Sequence, residues 1–104
     1  MKRYSIEISL QAQTNLEDYA HFIRNEYKSP LTADRHVYGL YLEIYSLRTL
    51  AESIQVSLRE RVLVYGANAR TIRYKKMSII YTVHVTKVIV HEILPTSMII
   101  SGLS

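Results

Sequence analysis

The chain has 104 residues, no cysteine and a formal net charge of +4 at pH 7. A chain of this length supports one hydrophobic core, so we expect a single domain over residues 1–104. The lack of cysteine excludes disulfides and thiolate metal sites. The chain also contains no run of 18 apolar residues, which is the length that a membrane-spanning helix needs. The first residues also lack the apolar core of a signal peptide, so we expect a cytoplasmic protein.

The positive charge is concentrated in the second half of the chain. Residues 1–58 carry six Lys/Arg against seven Asp/Glu, whereas residues 59–104 carry seven against two. A basic half suggests an anionic partner, which would be nucleic acid or an acidic protein segment. The alternative is a basic surface that is simply hydrated.

The N-terminal residues predict a strand and then a helix. Tyr4, Ile6 and Ile8 alternate with polar residues, which is typical of a half-buried edge strand over residues 3–9. Ser9 is a suitable N-cap, and the apolar residues that follow recur at helical spacing. This stripe comprises Ala12, Leu16, Tyr19, Ala20, Ile23 and Tyr27.

A second helix is predicted from about Pro30 to Leu50. Ser29 can cap it, Pro30 suits its first turn, and the short connection makes the two helices a hairpin. One apolar stripe would pack on a sheet: Ala33, Val37, Leu40, Tyr41, Ile44, Leu47 and Ala51. A second stripe comprises Tyr38, Leu42 and Tyr45. One sheet does not need both, so the second stripe predicts either a partner surface or packing on the first helix.

Two features of the middle of the chain are harder to interpret. Gly39 lies inside the second helix and predicts a close approach to another element. In residues 51–69, Ser57 begins a capping-box pattern and Gly66 could end a helix, which predicts a short helix at about 58–65. The alternative is an irregular strand, because apolar and polar residues also alternate at the start of this segment.

The stretch from Ala69 to Leu94 predicts three antiparallel strands. A four-residue turn over 75–78 and a two-residue turn over 86–87 would each pair the residues that flank them. Alternation then divides the side chains into a core face and an open face. The core face would hold Ile72, Tyr74, Ile79, Tyr81, Val83, Val85, Val88, Val90 and Leu94, with Arg70 and Glu92 at its margins. The open face would hold Thr71, Arg73, Lys75, Ile80, Thr82, His84, Ile89, His91 and Ile93.

Three residues of the open face suggest RNA chemistry. Arg73 could bind a phosphate or a carboxylate, and His84 and His91 could transfer protons near neutral pH. This is the minimum set for cleaving RNA through its own 2′-hydroxyl; the alternative is a hydrated face that carries polar residues without a catalytic role. Two histidines without a third ligand do not predict a metal site, and no cofactor is expected.

The order of these elements and four local sequences resemble the RelE/ParE superfamily of type II toxin–antitoxin toxins, and its ParE-like side most. The sequences are SLQAQTNLEDYAHFIR, PLTADRHVYGLYLEIYSLRTLAE, YGANARTIRYKKMSIIYTV and VIVHEILPTSMI. The resemblance implies an α+β fold in which an N-terminal strand and a helical hairpin precede an antiparallel β-meander packed on the helices. It also implies growth inhibition by a toxin that a cognate antitoxin wraps and holds inactive.

Within this superfamily, RelE-like members cut mRNA on the ribosome and ParE-like members poison DNA gyrase. Many members carry His or Tyr just after the last strand, where this chain has Pro95, which argues against a typical mRNA interferase. We therefore expect a toxin that acts by binding a protein such as DNA gyrase. The alternative is a ribosome-dependent endoribonuclease that uses Arg73, His84 and His91, and a further alternative is a non-toxic remnant that binds nucleic acid or antitoxin.

The residues expected to bind the antitoxin or the target are Arg70, Arg73, Lys75, Tyr38 and Tyr45. Arg70 and Arg73 are carried over from the family resemblance as basic residues near the open face. No membrane partner is expected, and pairing of the chain into a homodimer is left open.

Overall fold

The computed structural model describes residues 2–100. Its elements are β1 (Ser5–Ile8), α1 (Leu10–Glu26), α2 (Pro30–Leu50), a 3₁₀ turn (Ala51–Ser53), α3 (Glu60–Leu63), β2 (Arg70–Tyr74), β3 (Met77–Val83), β4 (Lys87–Pro95) and α4 (Thr96–Ile100). The strands form one sheet in the order β1-β4-β3-β2, with β1 parallel to β4 and the other pairs antiparallel. The predicted α+β fold, with its strand, helical hairpin and meander, is confirmed, and β1 occupies the predicted edge.

Both long helices begin at the predicted caps. The Ser9 Oγ accepts a hydrogen bond from the Ala12 N–H at 3.1 Å and donates one to the His91 carbonyl at 2.9 Å, so the same side chain starts α1 and joins it to β4. The Ser29 Oγ accepts from the Thr32 N–H at 3.4 Å at the start of α2. These caps satisfy amides that the helices themselves leave without a partner.

The main core lies between the helical hairpin and one face of the sheet. Its fully or nearly fully buried residues are Tyr4, Ala12, Leu16, Tyr19, Ile23, Ala33, Leu40, Ile44, Leu47, Ala51, Ile79, Tyr81, Val88, Val90 and Ile93. The predicted stripes of α1 and of the first face of α2 supply nine of these positions, because helical periodicity places such residues on one side.

A second, smaller core covers the middle of the opposite sheet face. It contains Val62, Ala69, Ile80, Leu94 and Ile99, which α3, α4 and the adjoining strands contribute. The face predicted to be open is therefore partly closed, since burial of Ile80 is complete.

Both predicted hairpin registers differ from the structure by two residues. The β2–β3 turn has two residues, Lys75 and Lys76, so Tyr74 pairs with Met77 rather than with Ile79. Lys75 adopts a φ of 53°, a left-handed conformation that tight turns use and that the sequence did not signal with Gly or Asn.

The β3–β4 hairpin also turns earlier than predicted. Val83 pairs with Val88, and the His84 N–H donates to the Lys87 carbonyl at 2.8 Å. A slip of two residues leaves every side chain on its predicted face, because the side-chain period of a strand is also two.

A β-bulge changes the faces farther along β4. Ile80 pairs with Glu92 whereas Tyr81 pairs with Val90, so His91 is an extra residue without an opposite partner on β3. The extra residue reverses the alternation beyond it. Ile93 consequently enters the main core and Leu94 the smaller one, which is the reverse of the prediction.

The segment before the meander contains the predicted short helix but not the predicted capping box. Its helical part, Glu60–Leu63, begins after Arg59, which makes no side-chain cap. The Ser57 Oγ instead accepts a hydrogen bond from the Arg59 N–H at 3.1 Å. Gly66 ends the following turn with a φ of 147°, in agreement with its predicted role, and the alternative of an irregular strand is wrong.

Candidate functional site

Six polar side chains meet beside the β-bulge, on the sheet face that α3 and α4 partly cover. We call them the bulge cluster: Arg61, Tyr65, Thr82, His84, His91 and Glu92. The bulge explains how His91 and Glu92, although consecutive in β4, both reach this face. Sequence alternation predicted opposite faces for these two residues, so it could not predict the cluster.

Glu92 is the centre of one half of the bulge cluster. One guanidinium nitrogen of Arg61 lies 2.9 and 2.7 Å from its two carboxylate oxygens, and the Tyr65 hydroxyl donates to it at 2.5 Å. Burial alone would raise the pKa of Glu92, but the hydrogen bonds from Arg61 and Tyr65 outweigh burial and lower its pKa. Burial and the hydrogen bond to Glu92 raise the pKa of the Tyr65 hydroxyl, which therefore stays protonated as a donor.

Thr82 is the centre of the other half. Its hydroxyl lies 2.9 Å from the Nε2 of His84 and 2.7 Å from the Nε2 of His91. Because a hydroxyl has one hydrogen, at most one histidine accepts from Thr82, and at least one donates to it. The His91 ring also stacks on Tyr65 with a centroid distance of 4.9 Å, which joins the two halves.

Burial lowers the pKa of His91, and the nearby His84 lowers it further, while Glu7 acts in the opposite direction. His91 is therefore neutral at neutral pH. The polar groups of the bulge cluster thus bind one another: the Glu92 carboxylate binds Arg61 and Tyr65, and the Thr82 hydroxyl binds the Nε2 atoms of both histidines. Such a closed network holds α3 against the bulged strand, and it offers little unbound acid–base chemistry.

The three predicted catalytic residues do not converge. His84 and His91 meet at Thr82, as described, but Arg73 pairs with Ser78 near the other end of β3. Four residues along a strand separate Ser78 from Thr82, which amounts to about 13 Å. Arg73 is exposed and belongs to a basic region at the β2–β3 turn rather than to the bulge cluster.

Arg70 lies on the helix-facing side of the sheet, opposite Tyr81. Its Nη1 donates to the Ala51 carbonyl at 3.1 Å, and the Tyr81 hydroxyl donates to the same oxygen at 2.7 Å. Burial raises the pKa of Tyr81 to about 12, although the Arg70 charge acts in the opposite direction. Arg70 thus supports the C-terminal end of α2, and the expectation that it lies near the open face is wrong.

The other predicted binding residues are exposed. Lys75 lies in the β2–β3 turn with its Nζ 5.6 Å from the centroid of the Tyr74 ring. Tyr38 and Tyr45 are 64% and 43% exposed, so the alternative that their stripe packs on α1 is wrong.

A groove of about 630 Å³ lies between α1, the last residues of β4 and α4. Its apolar lining includes Phe22, Tyr27, Met77, Ile93, Leu94 and Met98. Asp18 and Glu26 of α1 line it together with Lys75 and Lys76 of the turn, so it carries charges of both signs. The sequence contained one signal of this groove, because Phe22 falls outside the buried stripe of α1 and is 58% exposed.

The groove exists because β1 ends before β4 does. The last pair of these strands is Ile8 with Val90, and beyond it the Ile93 N–H is bound by the Asn15 side chain at 2.9 Å. Pro95 lies two residues farther along the same edge, where a residue without an N–H is tolerated. Pro95 thus lies on a part of the β4 edge that pairs with no other strand.

Neither a protein-family comparison nor a search of curated proteins matches this chain. The fold is similar to a solved chain of the "Chromosomal ParDE TA system from P. aeruginosa", with a TM-score of 0.72 and 15% sequence identity. The match covers 89% of this chain and 96% of that one, so the two chains share their fold over almost their full lengths. Within residues 2–100, no helix is long and apolar enough to span a membrane, and no group of His, Asp or Glu could hold a metal ion.

Proposed function

We propose that this chain is the toxin of a type II toxin–antitoxin system and acts by binding a protein target such as DNA gyrase. The observation that carries the proposal is the structural match to a chain of a ParDE system over 89% of this chain. The confirmed arrangement of a helical hairpin on the meander supports it, because this is the fold that the sequence resemblance to toxins implies.

The groove is the proposed binding site of the antitoxin. An amphipathic segment would place apolar side chains over Ile93 and Met98 and acidic side chains towards Lys75 and Lys76. Arg73 lies beside the same turn and would add to the attraction.

The closed bulge cluster supports protein binding over catalysis. A general acid or base must reach its substrate with a transferable proton or a free lone pair. In this chain the Glu92 carboxylate is occupied by Arg61 and Tyr65, and Arg73 lies about 13 Å from the histidines along β3.

Induced expression tests the toxin assignment. The chain should arrest bacterial growth, and co-expression of a neighbouring antitoxin gene should restore it. The purified chain should also inhibit DNA supercoiling by gyrase. Harmless expression of folded protein would contradict the assignment and favour the non-toxic remnant.

A variant of the groove tests the antitoxin site. Phe22→Glu should weaken neutralisation by the antitoxin while growth arrest persists, because Phe22 is exposed and does not support the core. Leu10→Glu is the matched control, since Leu10 is 81% exposed on the same helix but does not line the groove. Equal neutralisation of both variants would place the antitoxin elsewhere.

The second candidate is a ribosome-dependent endoribonuclease, which the meeting of His84 and His91 at Thr82 favours. In that case mRNA should be cut during translation, and Arg73→Ala and His91→Ala should each abolish the cuts. Primer extension on cellular mRNA distinguishes the two candidates, because a toxin that acts only by binding protein leaves the mRNA intact.

A further inference from the structure

The exposed side of α2 carries an apolar stripe that no element in residues 2–100 covers. The α2 stripe consists of Leu31, Tyr38, Leu42 and Tyr45, which are 60%, 64%, 53% and 43% exposed. Their spacings of 7, 4 and 3 residues place them on one line along the helix. A monomeric protein rarely exposes so continuous an apolar line, so it indicates an interaction surface. It is separate from the groove beside α1.

A shallow pocket interrupts the C-terminal half of the α2 stripe. It has a volume of about 220 Å³ and is lined by Leu42, Tyr45, Ser46 and Thr49, with Arg3 and Arg48 at its margins. Leu42, Tyr45, Ser46 and Thr49 have the i, i+3, i+4, i+7 spacing of the hole that receives a side chain when two helices interlock. Tyr38, the most exposed residue of the stripe, lies one turn before the pocket. Its side chain is large enough to fill the same pocket on another copy of the chain.

We propose that two copies of this chain pair through antiparallel α2 helices, with Tyr38 of each copy in the pocket of the other. If Tyr38 faces the centre of the pocket, between Tyr45 and Ser46, the two-fold axis passes close to Leu42. Each copy then gives one side chain and accepts one, as a two-fold interface requires.

The charges beside the stripe fit this orientation. At 100° per residue, Asp34 and Arg48 lie on the same side of the stripe, and Arg35 lies on the other side. In the antiparallel pair, Asp34 of each copy lies within about two residues of Arg48 of its partner. A parallel two-fold pair would instead bring Asp34 to Arg35 of its partner, so only the antiparallel pair joins Asp34 to Arg48.

The size of the stripe sets the strength of the dimer. A large aromatic side chain buries about 150–250 Å² when fully covered, so the two half-exposed tyrosines supply roughly 200 Å² for each copy and the two leucines add a smaller area. The total is well below the roughly 800 Å² that each partner buries in a standard stable interface. We therefore expect a reversible dimer that forms as the concentration rises.

Cysteine cross-linking tests the pairing directly, because the natural chain has no cysteine. Leu42→Cys should form a disulfide-linked dimer, since the two copies of this position lie next to the two-fold axis. Thr49→Cys should not, because its two copies are about 22 Å apart along the helices at 1.5 Å per residue. Equal cross-linking at both positions would indicate parallel or random contact and would overturn the proposal.

Sedimentation equilibrium of the purified chain gives the second test. Tyr38→Ala should weaken the dimer about 30-fold or more, as expected for a central aromatic residue. Phe22→Ala is the control for general hydrophobic association and should leave the dimer unchanged, because Phe22 is similarly exposed on another surface.

Charge exchange tests the orientation without changing the stripe. Asp34→Arg and Arg48→Asp should each weaken the dimer, and the double variant should restore it because both pairs are then reversed. Circular dichroism should be unchanged in all of these variants, since the side chains are exposed. A chain that remains monomeric at all concentrations would overturn the proposal and would indicate that a different protein binds the stripe. A double variant that dimerises no more strongly than the single variants would also overturn it.

Discussion

Replacing Arg61 with methionine should destabilise the fold by about 2 kcal/mol. Arg61 contacts both carboxylate oxygens of Glu92 within 3 Å, and the Glu92 side chain is only 15% exposed. The substitution keeps the apolar length of the side chain but removes the charge. Glu92 is then left with Tyr65 as its donor in a half-buried site, and a hydrogen bond to a charged group contributes about 1.5–3 kcal/mol.

Urea denaturation of the wild-type chain and of Arg61→Met measures this effect. For a domain of this size, a loss of 2 kcal/mol also corresponds to a fall in Tm of about 10 °C. The control is Lys87→Met, which removes the exposed pair between Lys87 and Glu7 at 3.3 Å and should cost less than about 0.5 kcal/mol. If both variants lost equally little stability, the bulge cluster would not anchor α3.

The pH dependence gives the same prediction a second readout. The folded pKa of Glu92 lies below its ordinary value of 4.5, so the unfolded chain binds the proton more readily. The stability that Glu92 contributes is therefore fully present above pH 4.5 and is lost as the pH falls through the folded pKa. The difference between the wild-type chain and Arg61→Met should shrink over the same range. A difference that stays constant down to the lowest pH at which both chains fold would refute the reasoning.

Three further predictions concern other contacts. Gly39→Ala should destabilise the chain by about 1–3 kcal/mol despite its better helix propensity, because a Cβ there would lie within 3 Å of three atoms of the Tyr74 side chain; adding Tyr74→Leu should recover most of the loss in urea denaturation. Ser9→Ala should cost about 1–2 kcal/mol in the same assay, since it removes both the cap of α1 and the bond to β4. Because the folded pKa of His91 lies below its ordinary value of 6.5, stability should decline as the pH falls below 6.5, and an NMR titration should place the pKa of this imidazole below 6.5.

The helices could be predicted from the sequence because their signals are local. Ser9 and Ser29 mark the first residues of α1 and α2, and the buried positions recur at the helical period. The same information fixes Gly39 as a site of close approach. It could not reveal that Tyr74 is the neighbour, because that contact joins residues 35 positions apart and depends on how the sheet lies across the helix.

The sheet was harder to predict because register is not a local property. The Lys75-Lys76 turn contains no Gly or Asn, so a longer turn fitted the sequence equally well. The predicted assignment of side chains to the two sheet faces was nevertheless correct at this hairpin, since a register shift by two residues preserves alternation. The bulge at His91 does not preserve it, and nothing in a period-two pattern signals an extra residue. The interchange of Ile93 and Leu94 and the approach of Glu92 to Arg61 both follow from that one residue.

The bulge also shifts the expected binding surface from the face of the sheet to its margin. Without the extra residue, Glu92 would point towards the helices and Ile93 towards the opposite face, as the sequence pattern suggests. With it, Glu92 holds Arg61 and thereby α3, which closes over Ile80 and removes the middle of the face from solvent. The accessible features that remain are the groove beside α1, the basic turn between β2 and β3, and the exposed side of α2. All three are suited to contact with another polypeptide.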